Sequence, residues 1–456
     1  MAVYLNNKIL LINPPRFKGH SIVREMRCVG ITTVSVFPPI ELAYLAGILR
    51  KYAQVKILDS NALNQNLEDV EKEIAAFEPQ AVIFTASIPS FSVDAQVAKI
   101  AKRINKNIKT ILLESHIVPV MPEKIKKSFP EIDYLVGSEP LLNIPKLFGF
   151  EGVSELERHP LPAYDLLPLK KYSSISFTRK KPFASLVTSV GCSNRCNFCI
   201  IGGATVDRGY GKIWRFKSPK KILEEIKYLL GLGVKSIYFF DETFTVDRQR
   251  VINLCQAIVD NGLKFEWSCN GRVDTLDEET IKIMKKAGCW NIMFGLECGV
   301  EGILKDANKG TTPAKAMDVI NYCKRNGVDV SASFIIGWPG DTWQTIKETL
   351  EMAKKINVHR TQFDMLTPFP GTKFYEEAKA KGLLESDYSF SGYDAYCVED
   401  MPVIRTEKMT SQDLARAYKY VYRKFYLRPS LWLKTLLGIR TFGQFMDILK
   451  FIRYLR

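Results

Sequence analysis

Apolar and polar positions alternate in blocks along most of the chain. Lys8–Asn13 is a short apolar run that stops at Pro14-Pro15. Residues 40–50 carry apolar side chains at helical spacing and follow Pro38-Pro39. Further runs of strand length fall near 54–58, 80–85, 109–113 and 132–136, with helical stretches near 67–77 and 93–105. Apolar strands separated by helices of about ten residues predict an open parallel sheet covered on both faces. Such sheets hold ligands at the carboxyl ends of their strands.

Residues 141–183 break this rhythm with Pro145, Pro160, Pro162 and Pro168, and read as a linker or packed connector. After it, strand and helix alternate six times. The expected strands are 184–190, 236–241, 265–270, 290–296, 331–337 and 361–367. The expected helices are 218–230, 247–260, 277–287, 313–325, 341–356 and 373–380. Ser218-Pro219, Asp247 and Asp341 are suited to helix starts, and Gly262, Gly288 and Gly327 to helix ends. Six units make a partial barrel; a closed one needs eight. The expected class is therefore α/β. A doubly wound parallel sheet (1–150) and a connector (151–183) precede a partial (β/α)6 barrel (184–385). A helical segment (386–456) follows.

Composition narrows the function. The 456 residues are 46% apolar and 25% charged, ordinary for a chain with a large core. No apolar run is long enough to span a bilayer. The first ten residues lack the pattern of a secretion signal, so the ten cysteines are expected in reducing cytosol. Net charge is +15, and residues 401–456 hold twelve Lys/Arg against three acids. Within that tail, Leu414, Tyr418, Val421, Tyr422 and Phe425 share a helical face. Residues 442–455 repeat the pattern, and Trp432 lies in the apolar stretch between. Such basic amphipathic segments suit an anionic membrane surface or the flank of the barrel. The expected location is the cytoplasm, with membrane contact through the tail. No nucleic-acid module is evident.

The sharpest chemical signal is Gly191-Cys192-Ser-Asn-Arg-Cys196-Asn-Phe-Cys199, where the first barrel strand ends. Three thiolates on one loop suit a metal centre. A closed zinc site wants a fourth ligand, and none lies nearby in sequence. A four-iron cluster held by three cysteines keeps one iron open. The other seven cysteines form no CxxC pair and read as small buried apolar side chains.

CxxxCxxC with an aromatic before its last cysteine, opening a six-unit barrel, resembles the radical S-adenosylmethionine (SAM) superfamily over about 184–380. The resemblance implies a [4Fe-4S] cluster on Cys192, Cys196 and Cys199, with SAM on the open iron. It implies reductive cleavage of SAM to a radical that abstracts hydrogen from an unactivated carbon, and a donor such as flavodoxin or ferredoxin. It also implies a SAM site at the strand ends, formed by Phe198, Asp241, Glu242, Asn270, Arg272, Glu297, Gly337 and Pro339. Asp241 and Glu242 would accept from the SAM ammonium, Arg272 would hold its carboxylate, and Glu297 its ribose or amine. Val190 and Ser193 stand where relatives commonly carry Arg and Pro.

The domain order resembles the cobalamin-binding class of that superfamily. Ile9–Pro15, Phe37–Ala46, Thr85–Phe91 and Pro162–Pro168 carry that resemblance. It implies cobalamin near Ser87 and His116, and methylation of an unactivated carbon on a small or lipid-like substrate. Cobalamin-independent radical cyclisation, C–C coupling or oxidation of a lipid or tetrapyrrole-like substrate is the alternative. Where the class often has Gly-Gly-x-His, this chain reads Leu113-Glu-Ser-His116, which predicts a narrower pocket. Methylthiolating tRNA enzymes carry three further upstream cysteines, whereas here only Cys28 precedes Cys192. An iron–sulfur sensor without catalysis is the non-enzymatic reading.

Overall fold

The computed structural model describes residues 7–25, 28–32, 35–174, 176–203, 214–358, 360–385, 390 and 402–429. Two parallel sheets organise it. The first has the order β4-β1-β5-β6-β7, from β1 (Lys8–Asn13), β4 (Gln54–Asp59), β5 (Ala81–Thr85), β6 (Lys109–Leu113) and β7 (Tyr134–Val136). All its pairings are parallel. A hairpin of β2 (Ser21–Glu25) and β3 (Cys28–Thr32), absent from the sequence reading, interrupts the passage from β1 to β4.

Both faces of this sheet are dry. Leu10, Ile12, Val82, Phe84 and Leu112 pack into one core, and Ile9, Leu11, Ile83, Ile111 and Leu113 into another. That two-sided burial explains the unbroken apolar strands. The second core continues into the barrel through the helix Ile40–Leu49, in which every residue is buried but Glu41, itself half-buried. A helix apolar all round belongs between two layers, and this one lies there.

The second sheet has the order β15-β14-β13-β12-β11-β8, all parallel. Its strands are β8 (Phe183–Leu186), β11 (Ser236–Phe239), β12 (Glu266–Gly271), β13 (Cys289–Glu297), β14 (Asp329–Ile336) and β15 (Arg360–Met365). Short strands β9 (Ser189–Val190) and β10 (Arg215–Phe216) pair antiparallel beside it. The six expected strand–helix units are present. Ser218, Asp247, Asp277, Thr312 and Thr372 cap the helices that follow them. Asp341 does not cap its helix: Thr342 does, and Asp341 instead accepts from the backbone of Gly337 and Trp338 at 2.8 and 3.0 Å.

The connector is packed. Tyr164 and Tyr172 are fully buried, and the Tyr172 hydroxyl donates to Asp59 at 2.8 Å. Gly47 allows this packing, because a Cβ there would sit 2.5 Å from the Leu161 carbonyl.

The tail helix Ser411–Tyr426 turns Leu414, Ala417, Val421 and Phe425 onto the barrel. Its apolar face is therefore not available to lipid, which corrects the membrane reading for this segment. Residues 430–456, including the second expected tail helix, lie outside the described residues. Among the described residues no helix is long and apolar enough to cross a membrane. The tail helix also closes a sheet edge. Tyr422 and Tyr426 donate to the carbonyls of Phe363 and Thr361 on edge strand β15. Replacing both tyrosines with phenylalanine should cost about 1–3 kcal/mol, read as a lower thermal midpoint with iron content unchanged.

Candidate active site

The cysteine loop leaves the carboxyl end of β8 through β9 and Gly191, whose φ is +86°. Cys196 is buried, and Cys192 and Cys199 are partly buried. Each sulfur has a donor aimed at it. Asn194 Nδ2 lies 3.4 Å from Cys192, the Ile201 amide 3.4 Å from Cys199, and Arg272 Nη1 3.6 Å from Cys196. Donors facing three sulfurs suit thiolates that carry charge to a cluster. No three His, Cys, Asp or Glu side chains among the described residues are placed to hold one metal ion.

Gly202 and Gly203 complete the loop, though the sequence reading did not single them out. A Cβ on Gly203 would come 2.6 Å from the Cys196 carbonyl and still closer to that of Asn197. The loop is also tied to the far side of the barrel. Asn308 Nδ2 donates to Arg195 O at 2.7 Å, and Asn197 Nδ2 to Asp306 O at 2.9 Å.

The strand ends around this loop sort the expected SAM residues. Asp241 is fully buried and already engaged: one oxygen accepts from the Thr188 amide at 2.7 Å, the other from the hydroxyls of Thr188 and Ser189. Arg250 lies 3.6 Å away. Asp241 therefore clamps strand ends, which corrects the ammonium role assigned to it. Asn270 donates to the Asp241 carbonyl at 2.9 Å. Arg272 does bind a carboxylate with two prongs, but that carboxylate is Asp274, at 2.9 and 2.8 Å. Its Nη2 also donates to the Lys309 carbonyl, and its Nη1 faces the Cys196 sulfur.

Glu297 ends β13 with φ +64° and pairs with Lys309 Nζ at 2.6 Å, both nearly buried. The sequence reading missed Lys309, which lies on a loop twelve residues beyond its partner. Phe198 stands edge-on to Trp338 at 5.0 Å and 6.0 Å from Lys309, joining the cysteine loop to the segments that follow β14 and β13. Gly337, at φ +99°, turns the chain beside Trp338 and Pro339. Glu242 is buried next to Thr243, whose hydroxyl lies 3.9 Å from the Cys192 sulfur.

A cleft opens where the carboxyl ends of the two sheets meet. Ile40, Tyr44, Leu141, Leu156, Val187 and Val190 give it apolar walls. Glu41, Ser115, Glu139, Arg215 and Glu242 are among its polar groups. Burial, reinforced by the Glu114 charge, pushes Glu41 up to about 7. Burial and the charges of Lys217, Arg215 and Lys221 hold His159 down at about 3, so it faces the cleft neutral. Of the two residues expected near cobalamin, Ser87 is buried at the end of β5 and His116 gives its amide to Glu114 at 2.9 Å. Ser115 lines the cleft between the sheets; Ser87 and His116 do not.

Comparison with known proteins fits this geometry. Residues 186–353 match the model of the radical SAM superfamily, and residues 26–141 that of the B12 binding domain. An uncharacterized methyltransferase of Pyrococcus horikoshii is 33% identical over 94% of both chains. The chain belongs to the B12-domain class of the radical SAM superfamily. The anaerobic magnesium-protoporphyrin IX monomethyl ester cyclase of Rubrivivax gelatinosus is 25% identical over 93% of this chain and 78% of its own. Among solved structures, the cobalamin-dependent SAM radical enzyme OxsB aligns with TM-score 0.73 at 14% identity, over 98% of this chain and 71% of that one. TsrM of Kitasatospora setae, a radical SAM methyltransferase, aligns with TM-score 0.67 at 15% identity, over 93% and 90%. These two show the shared fold. A radical SAM enzyme of this class uses a [4Fe-4S] cluster, SAM and cobalamin. The loop sulfurs with their donors fit the cluster. The apolar cleft with polar groups at its rim fits a macrocycle edged with amides.

Proposed function

We propose that this radical SAM enzyme methylates an unactivated carbon of a small, polar substrate. The observation that carries the reading is a shared wall. Val190, Ile201 and Glu242 line the cleft, and the same short segments hold Cys192, Cys199 and Thr243. A group bound in the cleft is therefore a neighbour of the cluster loop, as a methyl donor and a radical source must be. When bound, SAM on the cluster supplies the carbon radical and the corrinoid supplies the methyl group.

The chain's own residues position and shield. Cys192, Cys196 and Cys199 hold the cluster, with Asn194, Arg272 and the Ile201 amide steadying the sulfurs. Lys309 offers a cation to the SAM carboxylate, Glu297 and Glu242 offer acceptors, and Phe198, Gly337 and Pro339 shape the adenosine side. Electrons come from a one-electron donor of the flavodoxin or ferredoxin kind.

The substrate class follows from the inner wall. Side chains alternate along β15, and Phe363 packs outward against the tail helix. Gln362 and Asp364 therefore face inward, joined at 2.7 Å, with the Glu297 charge acting on Asp364. Burial and that charge push Asp364 up to about 7. An acid that holds its proton below about pH 7, beside an amide on this wall, favours a substrate with hydrogen-bonding groups over a lipid tail.

Asp364→Asn tests this. A folded-state pKa above the ordinary one means protons are lost from the site as pH climbs through about 7. The wild type should thus lose substrate affinity above pH 7, and the variant should lose that dependence while keeping SAM cleavage. Product mass tests the reaction itself: a gain of one methyl supports methylation, and loss of hydrogens would replace it with radical cyclisation.

A further inference from the structure

In an open sheet of this order the ligand crevice lies where the winding reverses, between β1 and β5. Here the chain fills that crevice itself. Arg24, from the hairpin inserted after β1, reaches back over the strand ends with its side chain 1% exposed. All five guanidinium hydrogens are used. Nε and Nη2 donate to Asp94 at 2.9 and 2.7 Å, Nη1 to Asn13 Oδ1 and Pro14 O at 3.2 and 3.0 Å, and Nη2 to Pro15 O at 2.7 Å. Asn13 and the two prolines follow β1. Asp94 belongs to the other side: it accepts from the Ser87 amide at 3.1 Å and the Ser90 hydroxyl at 2.7 Å, just beyond β5. The pair therefore bridges the reversal.

The plug continues along the sheet and is anchored. Asn13 Nδ2 donates to Asp59 at the end of β4, at 2.8 Å. Asn61 holds the hairpin, accepting from the Ile22 amide at 3.0 Å and donating to the Ser21 hydroxyl at 3.1 Å. The open cleft lies elsewhere, over Ser115 and Glu139 beyond β6 and β7 and against the barrel.

Cobalamin has two parts, a corrin ring and a nucleotide tail that ends in a benzimidazole. The cleft can face a ring; the crevice that would take a tail is occupied by Arg24 and Asp94. We propose that the enzyme recognises its corrinoid by the ring alone, so that corrinoids with a different lower base, or none, bind as well as cobalamin. This rests on the cobalamin reading above and specifies which part of the cofactor the chain reads.

The test is equilibrium dialysis of the full chain, its cluster reconstituted without oxygen, against hydroxocobalamin and against diaquacobinamide, which lacks the nucleotide. Bound cobalt is counted in each. The expected dissociation constants agree within about tenfold, a difference of ~1.4 kcal/mol or less. Cobalamin binding more than about tenfold tighter would overturn the proposal while leaving the cobalamin reading intact. Binding of neither corrinoid would overturn both. In the variant R24A/D94A, verified as folded by circular dichroism, the crevice opens and cobalamin should become favoured over cobinamide. An unchanged ratio in that folded variant would overturn the role of the plug.

Discussion

Replacing Cys196 with alanine should give a folded chain that holds no stable four-iron cluster and cleaves SAM at least about a thousandfold more slowly. Cys196 is the most buried of the three ligands, and its replacement leaves one iron without a protein thiolate. Arg272→Met is the informative contrast. Arg272 touches the sulfur at 3.6 Å but is not a ligand. Outer partners of this kind typically account for about 10–100-fold in metal affinity. The arginine variant should therefore keep most of its iron and lose activity within that range. Cys269→Ala is the control. Cys269 is fully buried in the barrel core, where burial and the neighbouring Cys289 push its thiol far up, and its loss should leave iron per chain unchanged. Iron and acid-labile sulfide counts with the visible spectrum decide all three. A Cys196→Ala chain that retains four irons and turns over SAM would remove the cluster assignment.

The parts legible in the sequence are those written locally. A strand buried on both faces must be apolar throughout, and Leu10, Leu11 and Ile12 show that without any partner being known. The cysteine spacing is likewise complete within eight residues. The hairpin was not legible because Ile22-Val23-Arg24 has neither length nor a turn signal, and its purpose lies in Asp94, seventy residues on. Asp241 was misread for a similar reason. A carboxylate at a strand end looks free until Thr188, fifty-three residues earlier, is seen to occupy it. Lys309 and Glu297 are close in sequence, but a pair twelve residues apart around a loop has no periodicity to betray it. The amphipathic face of the tail helix was visible; what it packs against was not.

The largest stability effect is expected at Lys217. Lys217 and Glu225 are both fully buried, and Nζ lies 2.8 Å from each carboxylate oxygen. The Tyr44 hydroxyl completes the group, donating to Glu225 at 2.7 Å with Lys217 Nζ 2.7 Å away. Burial draws the lysine's pKa down, and the Glu225 charge draws it back up. Lys217→Met removes the cation and leaves a carboxylate in a dry core. Breaking a buried pair from one side costs about 3–5 kcal/mol. In a chain of this size that should lower the thermal midpoint by about 3–5 °C. The paired change K217M/E225L removes both charges together and should recover most of the loss, because an apolar replacement carries no stranded charge. The network also joins two layers: Tyr44 belongs to the helix between the sheets and lines the cleft, whereas Lys217 and Glu225 belong to the barrel side. Lys217→Met should therefore weaken corrinoid binding, by about tenfold, at unchanged iron content. Thermal midpoints of the three chains at one scan rate, with cobalt uptake and iron counts beside them, separate these effects. If K217M alone melts like the wild type, Glu225 takes up its proton at little cost, and the ion pair is not what fastens the helix to the barrel.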